Sequence, residues 1–436
     1  GVEAEVLMHP AHDMNLEVFS DSTEAIKDWM AEKLDEAARL GLPYPYDSIR
    51  LVEVPNAVRG FGGGWRLGST LSPSGMILMK ESGFPMARFD AKFKDADQFE
   101  DQEGGMPAAK VARMEMFFDN DFNGGNPFPA AARNFFTGLT AGEGAEGLPL
   151  DFVFEELSSR LVIGRHSYFS AYLFTPDMQQ VINQTMGTYF QQSGGSRGAF
   201  IDTLMDTVTS RASVWDKTLN VSLKELDPWE EPRDTVDILT LKGGAMAESM
   251  IDDLGREETG TFLAALRERS QGESYSREDV LEAGRQAGSD LAPWLDTWIG
   301  QTDLPGFLVP DNAAEVYRLE DTEDGSARYQ ILVRITNGEK VPGLLRVEYR
   351  AGDQEGGFED GSTDPIKVPG SESVEIGMVS SKPPSTIKVL PYLSLNRSPF
   401  TLGLGIVDSE DIRSEEPFTG SRPVELLSRD EEVIVV

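Results

Sequence analysis

Hydrophobic and polar positions change their spacing twice along the chain, and each change predicts a different kind of structure. Residues 2–8 and 16–19 read as short strands around the polar turn His9-Pro10-Ala11-His12-Asp13. Ala25, Ile26, Trp29, Met30, Leu34 and Ala37 then recur at helical spacing, with Asp21 and Glu24 as a capping box at the start and Gly41 as the stop. The runs 49–55 (IRLVEVP) and 76–80 (MILMK) predict two strands flanking the glycine-rich loop 60–68. From about 108 to 300 the period is helical, over 108–118, 129–138, 150–163, 176–192, 197–213, 242–254, 257–270, 276–287 and 290–299. Beyond Pro305 and Pro310 it becomes alternation, as in 329–335 (YQILVRI) and 344–349 (LLRVEY). Further strands at 366–368, 373–379, 385–390 and 401–407 predict an antiparallel sandwich. The expected class is α+β: a domain over 1–310, mostly helical after a mixed α/β start, then a β-sandwich with a C-terminal tail over 311–436.

Composition narrows the function. With 436 residues, 39% hydrophobic and 26% charged, the chain has material for two or three globular domains. Against 39 basic residues stand 74 acidic ones, and the net charge of −35 repels phosphate backbones, so nucleic acid is excluded as a partner. Lysine is scarcer than arginine, 13 against 26, and an acidic, lysine-poor surface suits a salt-tolerant protein. Zero cysteines remove disulfides and thiolate metal sites together, and only His9, His12 and His166 are available for imidazole chemistry. No window approaches 18 uninterrupted apolar residues, so no membrane span is expected. The first residues lack the basic and apolar regions of a signal peptide, which predicts a mature domain or a fragment.

Two distant stretches resemble the gluzincin zinc aminopeptidases, the family of aminopeptidase N. The first holds HPAHDMN from His9, an amphipathic helix, and LPYPYDSIRLVEVP, similar to the family's PYP followed by a V-E-x-P strand. It comes closest to the aminopeptidase-like domains attached to bacterial ABC transporter permeases, which open with a similar H-P-x-H-x-x-N. The second runs from Leu241 to Pro305 and looks like the family's K-G-A helix, its L-G-x-x-x-F helix and its closing D-L-x-x-W-x-x-x-W-I segment. The resemblance implies a thermolysin-like domain followed by a sandwich.

The family's chemistry needs HExxH on a helix, two imidazoles on one metal and a Glu that activates the bound water. Here the corresponding helix is 129–138, and the resemblance sets Ala130 and Asn134 at the histidine positions and Ala131 at the Glu. Alanine has no donor atom, so the resemblance implies a site without zinc. Glu155 resembles the remaining carboxylate ligand, and Thr240 stands where the family has its transition-state tyrosine, two residues before Lys242-Gly243.

Other signals are weaker. His9 and His12, three apart beside Asp13, read as a turn bonding its own backbone rather than as metal ligands. His166, after Gly164-Arg165, reads as a surface or capping residue. The glycine-rich loop fails both phosphate-loop registers, and Trp65 is expected to border the vestigial cleft. Asp119, Asp121 and Asn123, followed by Gly124 and Gly125, match the first half of a calcium loop, with Ala130 instead of Glu at the twelfth position. A remote acid, Glu143 or Glu146, would have to complete the shell. No serine sits in GxSxG, and the adjacent pairs Glu155-Glu156 and Glu230-Glu231 diverge on a helix.

These readings lead to an inactive pseudoenzyme, an aminopeptidase-like binding or scaffold domain without zinc. Calcium is its one cofactor candidate. Its place is extracytoplasmic, periplasmic or cell-surface, in a bacterial ABC-type transport or envelope assembly. Its partner is a protein or a membrane transporter subunit, with peptide as a further ligand. The alternative is a metal-dependent hydrolase with a relocated site built from His9, His12 and Asp13 near Glu155.

Overall fold

A computed structural model describes residues 2–55, 76–81, 84–94, 99, 104–119, 141–163, 218–231, 234–235, 238–310, 313–322, 325–353, 357–396, 399–404, 412–425 and 433–434. The chain divides into two compact units, Gly1–Gln301 and Thr302–Val436, in an α+β arrangement.

The first unit begins with a three-stranded parallel sheet in the order β1 (Glu3–Leu7), β2 (Ser48–Val54), β3 (Met76–Lys80). Parallel neighbours need a crossover, and helix α2 (Thr23–Arg39) supplies the one between β1 and β2. Its apolar stripe Ile26, Trp29, Met30, Leu34 and Ala37 packs on Ile49 and Leu51 from β2, in a cluster with Phe19, Phe84, Phe89 and Met114. The Phe19 and Phe89 rings meet edge-on at 5.1 Å.

Two local expectations are corrected. Residues 16–19 are not a strand: Met14–Val18 is a short helix, α1, because the Phe19 N–H closes onto the Asn15 carbonyl and the Asn15 side chain is tied inward. Asp21 does not cap α2. Its carboxylate accepts from the Lys110 ammonium at 2.7 and 2.9 Å, which holds it below its ordinary value, while Glu24 pairs with Lys27. The stop at Gly41 is as expected. Gly41 has φ +85°, and the Gly41 and Leu42 N–H groups return to the carbonyls of Ala38 and Ala37.

Helices α3 (Gly105–Asp119), α4 (Gly147–Ile163), α5 (Gly244–Leu254), α6 (Arg256–Ser270) and α7 (Arg277–Gln286) follow. A π-helical turn over Leu239–Gly243 leads into α5. Val153, Phe154, Leu157 and Leu161 of α4 are buried, as are Met246 and Met250 of α5 and Phe262, Leu263 and Leu266 of α6. The Phe154 and Phe262 rings pack edge-on at 5.3 Å. Helix α6 reaches the end of α2 through Gly260, where a Cβ would lie 2.1 Å from the Leu40 carbonyl oxygen. The helices expected over 129–138, 176–192 and 197–213 lie outside the described residues.

The second unit holds a seven-stranded and a five-stranded sheet. In the first, β15 (Ile412–Arg413), β7 (Ala314–Leu319), β8 (Arg328–Asn337), β12 (Ser373–Ser380) and β16 (Gly420–Val424) run in that order, with β6 (Phe307–Pro310) on β8 and β17 (Val433–Ile434) on β6. In the second, β10 (Gly357–Ser362), β9 (Gly343–Asp353), β13 (Pro384–Leu390) and β14 (Phe400–Leu402) are consecutive and β11 (Ile366–Val368) joins β9. Alternate residues of both sheets, among them Ile331, Val333, Ile376, Val347, Ile387 and Phe400, form one buried cluster. The unit starts before Pro310, because Phe307 and Val309 are buried in that cluster and Phe307 pairs with Asn337.

Candidate functional site

The parallel register of β1 and β2 sets Leu7 beside Val52, and this brings the turn after β1 against the end of β2. There Glu53, nearly buried, receives both ends of that turn. The His9 backbone N–H donates to Oε2 at 2.7 Å and His12 Nδ1 lies 2.5 Å from Oε1. Because a carboxylate only accepts, His12 Nδ1 is the donor in this contact. At His9 the same ring nitrogen has the opposite role. It accepts the Ala11 N–H at 3.1 Å, which leaves the proton on Nε2. Three residues beyond His12, Asn15 is fully buried, and its Nδ2 donates to the carbonyls of Phe84 (2.6 Å), Ala87 (2.8 Å) and Pro85 (3.3 Å). The H-P-x-H-x-x-N string is therefore a staple joining β1, β2 and the segment after β3. In both of its imidazoles Nδ1 is already engaged, at His9 by the Ala11 N–H and at His12 by Glu53. Among the described residues no group of three or more His, Asp or Glu side chains is placed to hold one.

The second constellation surrounds α4. Glu155 and Glu156 are buried in its middle among Val153, Phe154 and Leu157. Arg160, one turn on, is buried 4.0 Å from Glu156 and donates to the Gly244 carbonyl at 3.3 Å. Arg256 closes the end of the helix: its Nη1 donates to the Arg160 carbonyl at 3.2 Å and its Nη2 to the Leu161 carbonyl and Glu36 Oε1. The tyrosine whose ionisation Glu155 opposes is Tyr275, which is fully buried. Its hydroxyl donates to Asp151 Oδ1 at 2.7 Å, and burial followed by the charges of Asp151 and Glu155 pushes its pKa well above the ordinary value. Tyr275 thus has neither exposure nor a spare proton with which to stabilise an oxyanion at a substrate.

Asp151 also accepts the Gly142 N–H at 2.8 Å, which locks the two-residue parallel pairing of β4 (Ala141–Gly142) with β5 (Ser274–Tyr275). Burial raises its pKa despite both hydrogen bonds. The folded state then holds a proton that the unfolded state releases, so this carboxyl costs stability as pH rises from 3.8 through its raised value. Asp151→Asn keeps the accepting oxygen without the charge. It should match or exceed the native melting temperature at pH 7 and lose that advantage at pH 4. Asp151→Ala orphans the Tyr275 hydroxyl and the Gly142 N–H and should cost about 2–4 kcal/mol in denaturant unfolding. Equal losses in the two variants would show that the charge itself is needed.

Of the expected site residues, Ala130, Ala131, Asn134, Asp121, Asn123 and His166 lie outside the described residues, as does the loop with Trp65. Thr240 falls in the π-helical turn before α5, next to buried Lys242, whose ammonium donates to the Gln301 carbonyl at 3.0 Å. Asp119 is the last residue of α3. The acids considered for completing a calcium shell have other partners: Glu143 accepts from the Ser274 hydroxyl and Glu146 from Arg277 Nη1 through both oxygens.

No protein-family model matches the chain, and no curated protein matches it. Among solved structures it is similar to Legionella pneumophila aminopeptidase A in complex with aspartic acid, with TM-score 0.40 and 13% identity over 87% of this chain and 34% of that one. A second likeness is to Pseudomonas fluorescens alkylpurine DNA glycosylase AlkC bound to DNA containing an abasic site analog, with TM-score 0.14 and 8% identity over 68% and 81%. The chain spans about a third of the length of the aminopeptidase it matches.

Sequence reasoning passed over Glu53, Asp151, Tyr275 and Arg256. Glu53 stood in the V-E-x-P strand with no role assigned, and its signal was a carboxylate between Val52 and Val54 at the apolar end of the strand. The others pair across long separations and left no local mark.

Proposed function

We propose that this chain is a catalytically inactive aminopeptidase-like binding or scaffold module, thermolysin-like in its first unit and a β-sandwich in its second. It serves as the extracytoplasmic part of a bacterial ABC-type transport or envelope assembly. One observation carries the inactivity: the positions that the resemblance gives to metal, base and phenol hold Ala130, Asn134, Ala131 and Thr240, and neither alanine has a donor atom. The commitment of Tyr275 to Asp151 supports it, since the tyrosine near Glu155 is no substitute for the missing phenol. The location and the transporter partner rest on the sequence resemblance of the H-P-x-H-x-x-N segment to permease-attached domains. Against the relocated metal site stand the hydrogen bonds of the staple, which engage His9 Nδ1 with the Ala11 N–H and His12 Nδ1 with Glu53.

The purified chain, dialysed against zinc and analysed by plasma mass spectrometry, should hold well under one equivalent. It should release nothing above buffer from aminoacyl fluorogenic substrates. Stoichiometric zinc, or turnover abolished by a chelator, overturns the reading.

A further inference from the structure

Trp229 is 93% exposed, the most exposed of the large apolar side chains among the described residues. Indole is highly buried on average, and its ring carbons gain nothing from water. Its backbone is nevertheless held. Asp227 Oδ1 accepts the N–H groups of Trp229 at 2.8 Å and Glu230 at 3.1 Å, and the Asp227 carbonyl accepts the Glu231 N–H at 3.0 Å. Pro228 fixes the intervening φ. Just before, Ser222 and Glu225 form a capping box, with the Ser222 hydroxyl donating to Glu225 at 2.7 Å, and Leu223 is fully buried beneath it. The indole therefore projects from a turn anchored at one end in the core and closed by its own aspartate.

A preorganised tryptophan of this kind has the properties of a binding hot spot: large area, few rotatable bonds and a backbone whose ordering cost is already met. Its surroundings specify what it fits. Asp227, Glu230 and Glu231 lie within two residues on either side and all three are exposed. We infer that Trp229 is the anchor of a protein-docking surface whose partner presents an apolar pocket rimmed by arginine or lysine. A guanidinium at that rim meets both the ring face and the flanking carboxylates. A second copy of the chain is a poor occupant: turn against turn it would bring six carboxylates together, and any other face belongs to a molecule already at −35. An anionic lipid surface is repelled for the same reason. This surface stands whether or not the vestigial cleft is inactive, so its test is separate from the zinc assay.

The test uses the full chain with a photoreactive p-benzoylphenylalanine at position 229, irradiated in an extract of the source organism. Adducts are mapped by mass spectrometry, and the captured protein is then titrated against the native chain. The expected adduct lies in an apolar pocket with basic residues at its rim. Trp229→Ala should weaken that complex at least about tenfold with an unchanged melting temperature. Trp229→Phe should retain part of the affinity, and Glu230→Lys with Glu231→Lys should weaken it and flatten its salt dependence. Any of four results overturns the inference: no adduct from a natively melting protein, adducts only within this chain or a second copy, unchanged affinity in Trp229→Ala, or Trp229-dependent flotation with phosphatidylcholine–phosphatidylglycerol vesicles.

Discussion

Asn15→Ala should be among the most damaging single substitutions in the first unit, at about 3 kcal/mol. Asn15 is fully buried and its one amide nitrogen reaches three carbonyls, those of Phe84, Pro85 and Ala87. Removing it leaves them without that donor, and each orphaned group costs about 1–3 kcal/mol, reduced where the segment can relax toward water. The Asn15 side-chain oxygen is itself buried without a hydrogen-bond partner, so Asn15→Ala loses no acceptor bond and the cost comes from the three carbonyls. Asn15→Asp should be worse, since it aims a carboxylate at carbonyl oxygens. Denaturant unfolding followed by Trp29 fluorescence in a chain with its other tryptophans replaced, and referenced to that same background, measures both. A loss under about 0.5 kcal/mol in Asn15→Ala would mean that the staple does not hold the segment after β3.

Gly260→Ala should cost about 2 kcal/mol even though alanine is the better helix former. In an exposed helix interior the exchange gains about 1 kcal/mol. Here the new methyl would sit 2.1 Å from the Leu40 carbonyl oxygen and 3.0 Å from its carbonyl carbon, both backbone atoms of the turn that ends α2. Neither can move without opening the Gly41 stop, where Ala264 Cβ already stands 3.1 Å from the position a Gly41 Cβ would take. Overpacking against fixed backbone outweighs the propensity. Gly260→Val, with more bulk and lower propensity, should exceed it. Amide exchange at Gly41 and Leu42 should rise in step with the loss, and native protection there in a destabilised Gly260→Ala would place the damage elsewhere.

Periodicity made most elements legible: β2, β3, α4, α6 and α7 lie within a few residues of their expected bounds, and α4 and α6 bury the stripes that the spacing marked. It failed where a single long-range partner decides the conformation. The alternating look of residues 16–19 gave way to a helix once Asn15 was pulled inward, and the Asp21 box lost its carboxylate to Lys110, 89 residues away. Proline punctuation at 305 and 310 marked the change of architecture, but Phe307 between them is a core residue of the second unit. Of the candidate site, the absence of donor atoms could be read directly from Ala130 and Ala131. The Glu53 partnership with His12 depends on a parallel register that no local pattern encodes. Nor does residue type reveal that Trp229 is outside, since tryptophan is ordinarily within.

The second unit carries at one edge a strand pair with a weak direction under tension. Its first strand, Phe307–Pro310, is joined to Val433–Ile434 by two register pairs, Pro310 with Val433 and Val309 with Ile434. The strands are antiparallel neighbours, so a pull that leaves the unit at Phe307 and at Ile434 acts on the same end of the pair. The bonds then open one after another instead of sharing the load. On its other edge β6 is held by β8, where Phe307 and Leu308 pair with Asn337 and Thr336. Mechanically, β17 is a short latch on β6, closed by two register pairs that open in series.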